Sequence, residues 1–319
     1  GVVKMYPQDL GTETLGYAAS HEVLLTALQA KLRSAPNMTV MCPAQVVEVD
    51  YTDTGAEITI QNPDTNAPVK IRASLVIAAD GAKSALRERA GIETTGWNYW
   101  QSCITATIEP EKPHQNVAYE RFWCAGPIGV LPLADGRCQV VWTVPHQQAE
   151  ELRDLPESEF LQQLEHCTGG LLGKLELDSG RWLFPVKLMH SKQYTAPRLA
   201  LIGDAAHCCH PVAGQGMNLG IRDAAALAEI LVAAHQAGED IGSDAVLQRY
   251  ASWRKPENWV ILAFTDFLDR MFSTSILPIV MIRRVGLLLL DRIPVFKYLA
   301  LRLMTGLAGR IPQVAKLNS

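Results

Sequence analysis

The sequence lacks the cysteine patterns that mark disulfide-rich or zinc-binding proteins. Its seven cysteines are odd in number and no two of them have the C-x-x-C spacing, so we expect free, mostly buried thiols and a reducing compartment. The run 207–210 (His-Cys-Cys-His) holds four potential ligands, but four consecutive residues cannot all converge on one tetrahedral ion. The sequence therefore predicts no metal site.

The chain also lacks a strong excess of either charge. Its formal net charge of −4 gives no general reason to expect a nucleic acid partner. The charge is unevenly distributed, however. From Ile276 onward there are seven Lys or Arg and one Asp, so this tail carries +6 and the rest of the chain −10. This asymmetry predicts a separate partner for the tail, and an anionic membrane surface is a candidate.

The G-x-G-x-x-G fingerprint of a dinucleotide-binding βαβ unit does not occur in the 319 residues. The spacing Gly214-x-Gly216-x-x-x-Gly220 is one residue too long, and no predicted strand directly precedes it. The acid that follows such a fingerprint by about 20 residues is missing with it. The first residue is Gly rather than Met, and we expect the start to be internal to a longer protein.

What is present is the composition of well-packed globular domains, with 48% hydrophobic and 19% charged residues. Helical periodicity predicts a helix over Gly16–Leu32 with Ser20 as N-cap, and a long helix over Ile221–Ala237 with two or three more after it. Alternating segments within residues 97–145 predict an antiparallel sheet. Short β-branched segments between turn residues predict a further set of antiparallel strands: Thr39–Met41, Ala44–Tyr51, Glu57–Gln61 and Val69–Ile71.

Two wholly apolar segments, Leu75–Ala79 and Leu199–Ile202, are typical of strands buried on both faces. The first is followed by Asp80-Gly81 and the second by Gly203-Asp204. Ligands of open α/β sheets bind beyond the carboxyl ends of strands. An Asp there can accept hydrogen bonds from sugar or polyol hydroxyls, and a Gly lets a ligand approach the backbone closely.

A glycine-rich turn with Gly214 and Gly216 comes after the second segment and opens a helix near Met217-Asn218. The free N–H groups and the positive dipole at a helix N-terminus can hold a negatively charged group. A turn without function would explain the glycines. It would not explain an Asp, a His, a Pro and an Asn in this order between a buried strand and an Ala-rich helix.

These motifs together resemble those of the FAD-dependent aromatic hydroxylases, the single-component flavoprotein monooxygenases typified by p-hydroxybenzoate hydroxylase. The Asp-Gly motif of that family is matched by residues 79–87, Ala-Asp-Gly-Ala-Lys-Ser-Ala-Leu-Arg. Residues 210–220 most resemble the branch that hydroxylates quinone precursors in ubiquinone biosynthesis. The family's Gly-Asp motif is matched by residues 203–207 (Gly-Asp-Ala-Ala-His) with Pro211, Gly214, Gly216, Asn218, Gly220 and Asp223.

The resemblance implies a role for each matched position. Asp204, with Gly203, would bond the ribityl chain of FAD. After the turn at Gly214, the backbone amides of Gly216, Met217 and Asn218 would hold the pyrimidine edge of the flavin, which is negatively charged when reduced. Asp80 and Gly81 would lie near the FAD pyrophosphate and could also serve NAD(P)H. The catalytic candidates are Pro211, which would border the substrate above the flavin ring, and His207, for which a buried histidine bonded to backbone is an equal alternative.

The fold class implied is α/β (α+β). We expect an FAD-binding three-layer β/β/α-type domain lacking its N-terminal βαβ unit, an antiparallel-sheet substrate domain and C-terminal helices. The expected boundaries are 1–95 for the first part of the FAD-binding domain, 96–190 for the substrate-binding sheet, 191–265 for the second part of the FAD-binding domain and 266–319 for a helical tail.

The activity implied is hydroxylation of an aromatic substrate, in particular a prenylated phenol that serves as a quinone precursor. FAD, NAD(P)H and O2 are required because no side chain supplies an electrophilic oxygen. Water must be excluded and the phenol deprotonated, but the sequence assigns no residue as the base. Two alternatives stay open: a non-oxygenating FAD oxidoreductase such as a reductase or halogenase, and a non-catalytic scaffold in quinone biosynthesis.

The tail offers two interpretations. Ile276–Leu290 is apolar but contains Arg283-Arg284, whereas a membrane-spanning helix needs roughly 20 apolar residues. Basic amphipathic helices over 276–310 would lie on a membrane surface. Alternatively, they would pack on the body, on a second copy or within a biosynthetic complex. A lipid substrate favours the membrane, and we expect a cytoplasmic protein with peripheral contact to the cytoplasmic membrane face.

Overall fold

The computed structural model of the chain describes residues 1–64 and 67–316. Most of the helical structure in this part of the chain lies in its second half, where α5 and α6 are the longest helices. The α-helices are α1 (His21–Ser34), α2 (Ala85–Arg89), α3 (His146–Asp154), α4 (Glu157–Thr168), α5 (Gly216–Gln236), α6 (Asp244–Phe272), α7 (Leu277–Arg292) and α8 (Pro294–Met304). Short 3-10 turns occur at Pro7–Asp9, Gly203–Ala205, Val212–Gly214 and Gln313–Ala315.

The described strands form three sheets. They are β1 (Gln45–Thr52), β2 (Gly55–Gln61), β3 (Pro68–Ala73), β4 (Val76–Ala78), β5 (Thr94–Pro110), β6 (Tyr119–Trp123), β7 (Gly126–Pro132), β8 (Cys138–Pro145), β9 (Leu175–Leu177), β10 (Trp182–Ser191), β11 (Thr195–Ala196), β12 (Leu199–Leu201) and β13 (His207–Cys208).

The first sheet is the antiparallel meander β1-β2-β3. It confirms three of the four strands expected before residue 75. The strand expected at Thr39–Met41 is wrong, because pairing in this sheet begins only at Gln45, opposite Gln61. Helix α1 begins directly after Ser20 as expected, although the Ser20 side chain makes no capping hydrogen bond.

The second sheet has the strand order β13-β10-β5-β8-β7-β6, with β9 added to β5, and every pair in it is antiparallel. One face packs on α3 and α4 through a core that includes Ile104, Trp142 and Phe160. Strand β5 has 17 residues, far more than the alternating segment Ser102–Ile108 predicted. Its length arises because one end pairs with β10 and the other with β8 and β9.

The third sheet, β11-β12-β4, contains the parallel pair β12 and β4. Helices α5 and α6 cover one face, and the Tyr250 hydroxyl donates a 2.8 Å hydrogen bond to the carbonyl of Leu201. The expectation that residues 75–79 are buried on both faces is wrong for one face. Ala78 lies in the core, whereas Ile77, which alternates to the opposite face, is 44% exposed.

The mixed α/β class with antiparallel sheets and C-terminal helices is confirmed. Strands β5 and β10 and helix α6 each run across one of the expected domain boundaries, so these boundaries are not breaks in secondary structure. The division into domains stays a prediction. Within the described residues, no single helix is long and apolar enough to cross a membrane. By length and composition alone, α6 and α7 qualify only as a pair, bent by 120°.

Candidate flavin site

Both sequence motifs leave the same edge of the third sheet. β4 and β12 pair in parallel, with Ala78 opposite Leu201, and the Ile202 amide donates a 3.0 Å hydrogen bond to the carbonyl of Ala78. The chain therefore continues from both strands at neighbouring points, into Asp80-Gly81 and into Gly203-Asp204. This is the carboxyl edge where α/β sheets bind ligands.

The Asp80 loop is held by the start of helix α2. The Asp80 carboxylate accepts a hydrogen bond from the Leu86 amide at 3.2 Å, and Ser84 caps the helix by accepting from the Arg87 amide at 3.0 Å. Gly81 has a φ of +82°, a conformation that favours glycine, and a Cβ there would meet nothing within 4 Å. The backbone at Gly81 is thus turned sharply with open space above it.

Arg87 joins the two motifs. Its side chain is buried, and its guanidinium donates to the carbonyl of Ala205 at 3.0 Å and to the carbonyl of Ala82 at 3.2 Å. Lys187 on β10 donates to the same Ala82 carbonyl at 3.3 Å. Arg87 was part of the matched motif, but no role could be assigned to it from the sequence. A charged residue is normally expected at the surface.

Close glycine packing sets the position of Asp204. A Cβ on Gly220 of α5 would come within 3.2 Å of the Gly203 Cα, and Gly203 itself has a φ of +57°. The strand end and the helix can approach this closely only because both residues lack side chains. Asp204 follows directly, with an exposed carboxylate that has no hydrogen-bond partner among the described residues.

Asp223 on α5 is the buried centre of the site. One carboxylate oxygen accepts from the Gly203 amide at 3.1 Å and faces the His207 Nε2 at 2.6 Å. The other accepts from Arg254 Nε and Asn258 Nδ2, both at 2.9 Å. Burial raises the pKa of Asp223, but the hydrogen bond and charge of His207 and the nearby Arg254 outweigh it and leave the pKa below its ordinary value. Asp223 is therefore an ionised carboxylate, and in this form it holds the Gly203 turn.

The structure places His207 inside this network. The side chain is 1% exposed and stacks at 6.0 Å on the ring of Tyr194. This favours the alternative of a buried histidine, although its partner is the Asp223 carboxylate rather than backbone. A direct catalytic role for His207 is not supported by this position, because the imidazole is enclosed by protein.

The glycine-rich turn ends in the first residues of α5, which begins at Gly216, five residues before the long helix expected at Ile221. Gly214 has a φ of +58°, and a Cβ there would meet nothing within 4 Å. Asn218 holds the turn by donating to the Gly214 carbonyl at 3.2 Å, and Met217 is exposed. The first amides of a helix have no acceptor within the helix, so those of Gly216, Met217 and Asn218 can bind a ligand.

Pro211 lies beside a second buried network that the sequence did not indicate. His210 Nδ1 accepts from the Val212 amide at 3.2 Å, so Nε2 carries the proton, and it lies 3.2 Å from Gln101 Oε1 on β5. Gln101 Nε2 in turn donates to Asp269 of α6 at 3.2 Å. Burial holds the pKa of His210 below its ordinary value despite Asp269 and Asp266 nearby. The Pro211 loop is thus tied to the large sheet and to α6.

The residues present fit the ring half of FAD. Asp204 is an exposed, unpartnered acceptor suited to polyol hydroxyls, and the α5 amides are donors suited to a negatively charged ring edge. The space above Gly81 and Gly214 is open, so a planar group can lie against the backbone. Asp80-Gly81 and Gly203-Asp204 leave the same sheet edge. The turn and helix start that contain Gly214, Gly216, Met217 and Asn218 belong to α5, which packs on Gly203 through Gly220.

The cysteines and histidines of the 207–210 run point to different partners. His207 faces Asp223 and His210 faces Gln101. Within residues 1–64 and 67–316, no three His, Cys, Asp or Glu side chains come together as a metal site. All seven cysteines are free, three of them buried and two exposed. Burial raises the pKa of Cys208 to about 11, so this thiol is not a reactive thiolate.

Comparisons with known proteins identify the family of the chain. The FAD binding domain family matches residues 12–265. An uncharacterised protein, slr1300 of Synechocystis sp., is 49% identical over 99% of this chain and 76% of its own length. The ubiquinone hydroxylase UbiL of Rhodospirillum rubrum is 37% identical over 98% of this chain and 72% of its own length.

Solved structures share the fold. p-Nitrophenol 4-monooxygenase PnpA from Pseudomonas putida superposes with a TM-score of 0.77 at 21% identity, over 97% of this chain and 78% of that protein. OxyS anhydrotetracycline hydroxylase from Streptomyces rimosus gives a TM-score of 0.67 at 21% identity over 92% of this chain, which spans 57% of that protein.

Proposed function

We infer that this chain, which belongs to the FAD binding domain family, is an FAD-dependent monooxygenase that hydroxylates an aromatic quinone precursor with NAD(P)H and O2. The observation that carries the inference is the meeting of Asp80-Gly81 and Gly203-Asp204 at the carboxyl ends of the parallel strands β4 and β12. The ubiquinone hydroxylase named among the relatives supports the substrate class. The family match confirms two expectations drawn from the sequence, namely the family and its FAD cofactor.

FAD reduced by NAD(P)H supplies, with O2, the electrophilic oxygen that no side chain can provide. The protein's own residues bind and orient the cofactor and the substrate. Asp204 would accept hydrogen bonds from the ribityl hydroxyls, and the amides of Gly216 to Asn218 would hold the pyrimidine edge. Pro211 borders the substrate, and the network behind it fixes its loop against Gln101 and Asp269. The reaction requires that water be excluded from these groups, because water would otherwise waste the activated oxygen.

The function is tested with purified, FAD-loaded protein. Prenylated phenols that lack one ring hydroxyl should stimulate NAD(P)H oxidation and be consumed in proportion. A flavoprotein that oxidises NAD(P)H without consuming O2 would instead be a reductase. A chain that binds no FAD under any loading condition would support the scaffold alternative and contradict the proposal.

We further propose that α7 and α8 rest on an anionic membrane, from which the substrate enters. Arg283 ties α7 to the body by donating to the carbonyls of Met271 and Phe272 at 3.3 and 2.9 Å. The basic tail complements anionic lipid. Thirteen large hydrophobic side chains of the tail are exposed: Ile276, Leu277, Met281, Ile282, Val285, Leu288, Leu289, Val295, Phe296, Tyr298, Leu299, Ile311 and Val314.

Co-sedimentation with vesicles tests this proposal. The protein should bind vesicles that contain phosphatidylglycerol and bind pure phosphatidylcholine weakly. Ile282→Glu should lower binding about tenfold, whereas Val232→Glu, at a similarly exposed position on α5, should not. Concentration-dependent dimerisation that Ile282→Glu abolishes, without vesicle binding, would assign the surface to a second copy. A location on the cytoplasmic membrane face stays a prediction.

A further inference from the structure

The face of the large sheet opposite α3 and α4 is a wall that carries several aromatic side chains and begins near the Pro211 loop. Strand β7 contacts the turn Val212–Gly214, and Gln101 on β5 is bonded to His210. Along the wall, Phe122 stacks on Phe272 of α6 at 4.0 Å. Phe184 and Trp182 on β10 belong to the same face and are 54% and 64% exposed. Such exposed aromatic side chains are suited to an aromatic substrate.

Glu120 places one carboxyl on this wall. It lies on β6, two residues before Phe122, so both side chains point to the same face. Its partner across the strand pair is Gly129, and a Cβ at Gly129 would lie 3.2 Å from Glu120 Oε2. The glycine therefore leaves the room that the carboxyl occupies.

The carboxyl of Glu120 has no ion-pair or hydrogen-bond partner among the described residues. The side chain is reachable by solvent, yet desolvation by the surrounding protein raises its pKa to about 7. A group on the wall of a cleft meets both conditions, because protein surrounds the group on most sides and leaves it open to solvent on one. Unpartnered, perturbed carboxyls of this kind are typical of functional sites.

The neighbouring titratable groups do not neutralise Glu120. The Cys103 thiol on β5 interacts with it electrostatically, and burial together with Glu120 raises the pKa of Cys103 to about 12, so the thiol is uncharged. The acids of α6 that face the sheet have other partners: Asp266 accepts from Tyr99 at 2.6 Å and Asp269 accepts from Gln101. The cations nearby also have partners: Arg270 pairs with Asp266, and Arg283 donates to the carbonyls of Met271 and Phe272. Only the Glu120 carboxylate is therefore left without a counter-ion among these groups.

We propose that Glu120 is a specificity-determining residue that accepts a hydrogen bond from a hydroxyl of a neutral phenolic substrate and rejects aromatic carboxylates. A phenol can donate to the carboxylate. A substrate carboxylate would meet an unscreened like charge in a cleft, which is strongly unfavourable. The inference rests on the proposed function, because it assigns this wall to the substrate of that reaction.

Equilibrium binding to the FAD-loaded protein tests the proposal without turnover. The probes are 4-propylphenol and 3-(4-hydroxyphenyl)propanoate, which differ mainly in a carboxylate. At pH 8 the wild type should bind the neutral phenol at least about tenfold more tightly, and this preference should shrink at pH 6, where Glu120 is largely protonated. In Glu120→Gln, the carboxylate should bind about as well as the phenol at both pH values.

The matched control is Glu176→Gln at the exposed position of strand β9 in the same sheet, and this variant should keep the wild-type preference. The proposal is overturned if Glu120→Gln keeps the preference and its pH dependence, or if 4-propylphenol does not bind saturably. Failure of the proposed function would look different: discrimination between the probes would persist while no oxygen enters either of them.

Discussion

The guanidinium of Arg87 donates a 3.0 Å hydrogen bond to the carbonyl of Ala205, a residue 118 positions further along the chain. This bond connects the helix that follows Asp80 with the turn that contains Asp204. The two halves of the flavin site are therefore one structural unit, and a substitution that displaces one half should also displace the other.

Arg87→Met should weaken FAD binding and lower stability together. It leaves the carbonyl of Ala205 without its buried donor and the carbonyl of Ala82 with Lys187 alone, and an unsatisfied buried acceptor costs about 1–3 kcal/mol. Flavin absorbance after gel filtration and urea unfolding measure the two effects. Arg87→Lys should recover only part of the loss, because an ammonium cannot reproduce the fork of two donors. Full recovery by lysine would show that charge alone matters.

Asp204→Ala should lower FAD affinity without lowering the stability of the FAD-free protein. The carboxylate is exposed and unpartnered, so its removal breaks no internal contact, whereas hydrogen bonds to a charged group contribute about 1.5–3 kcal/mol to ligand binding. Fluorescence titration with FAD should show a Kd raised by about 10- to 100-fold. An unchanged Kd would remove Asp204 from the flavin site.

Asp223→Asn should destabilise the fold by about 1–3 kcal/mol at pH 7, because it removes one of the two carboxylates that pair with the buried Arg254 and leaves it only Glu257. The pKa of Asp223 is lowered in the folded protein. Its charge therefore stabilises the fold above the unfolded pKa of about 4, and this contribution is lost as the pH falls through the lower folded pKa. The gap in unfolding free energy between wild type and variant should close with acidification. A gap that stays constant would contradict this assignment.

Gly220→Ala should impair FAD binding, because the added methyl group would press within 3.2 Å of the backbone at Gly203. The strand end must then move away from α5, and Asp204 moves with it. Gly286→Ala in the middle of α7 is the matched control, since a Cβ there meets nothing within 4 Å. The control should gain about 0.5–1 kcal/mol in stability. Equal behaviour of the two variants in FAD titration would refute the close-packing argument.

Local patterns in the sequence were sufficient to predict the elements that carry the site. Apolar runs ending in Asp-Gly and Gly-Asp located β4 and β12, and a glycine-rich turn before an Ala-rich stretch located the start of α5. The same patterns failed where burial depends on distant partners. Ile77 is as apolar as its neighbours but lies on the face away from α5 and α6.

The buried polar networks could not be predicted, because they join residues far apart in the chain. Gln101 and His210 are 109 positions apart, and neither residue type signals a partner. Asp223 and Arg87 were inside the matched motifs, which was the available signal. Their roles became visible only when the fold brought His207, Arg254 and Ala205 to them.

Oxygen incorporation from 18O2 tests the central claim most directly. The FAD-loaded protein, supplied with NAD(P)H and a prenylated phenol under labelled O2, should yield a product that carries one 18O atom per new ring hydroxyl. Control reactions in labelled water should leave that hydroxyl unlabelled. A product without label from O2, or NAD(P)H oxidation that reduces the substrate instead, would contradict the assignment of this chain as a monooxygenase.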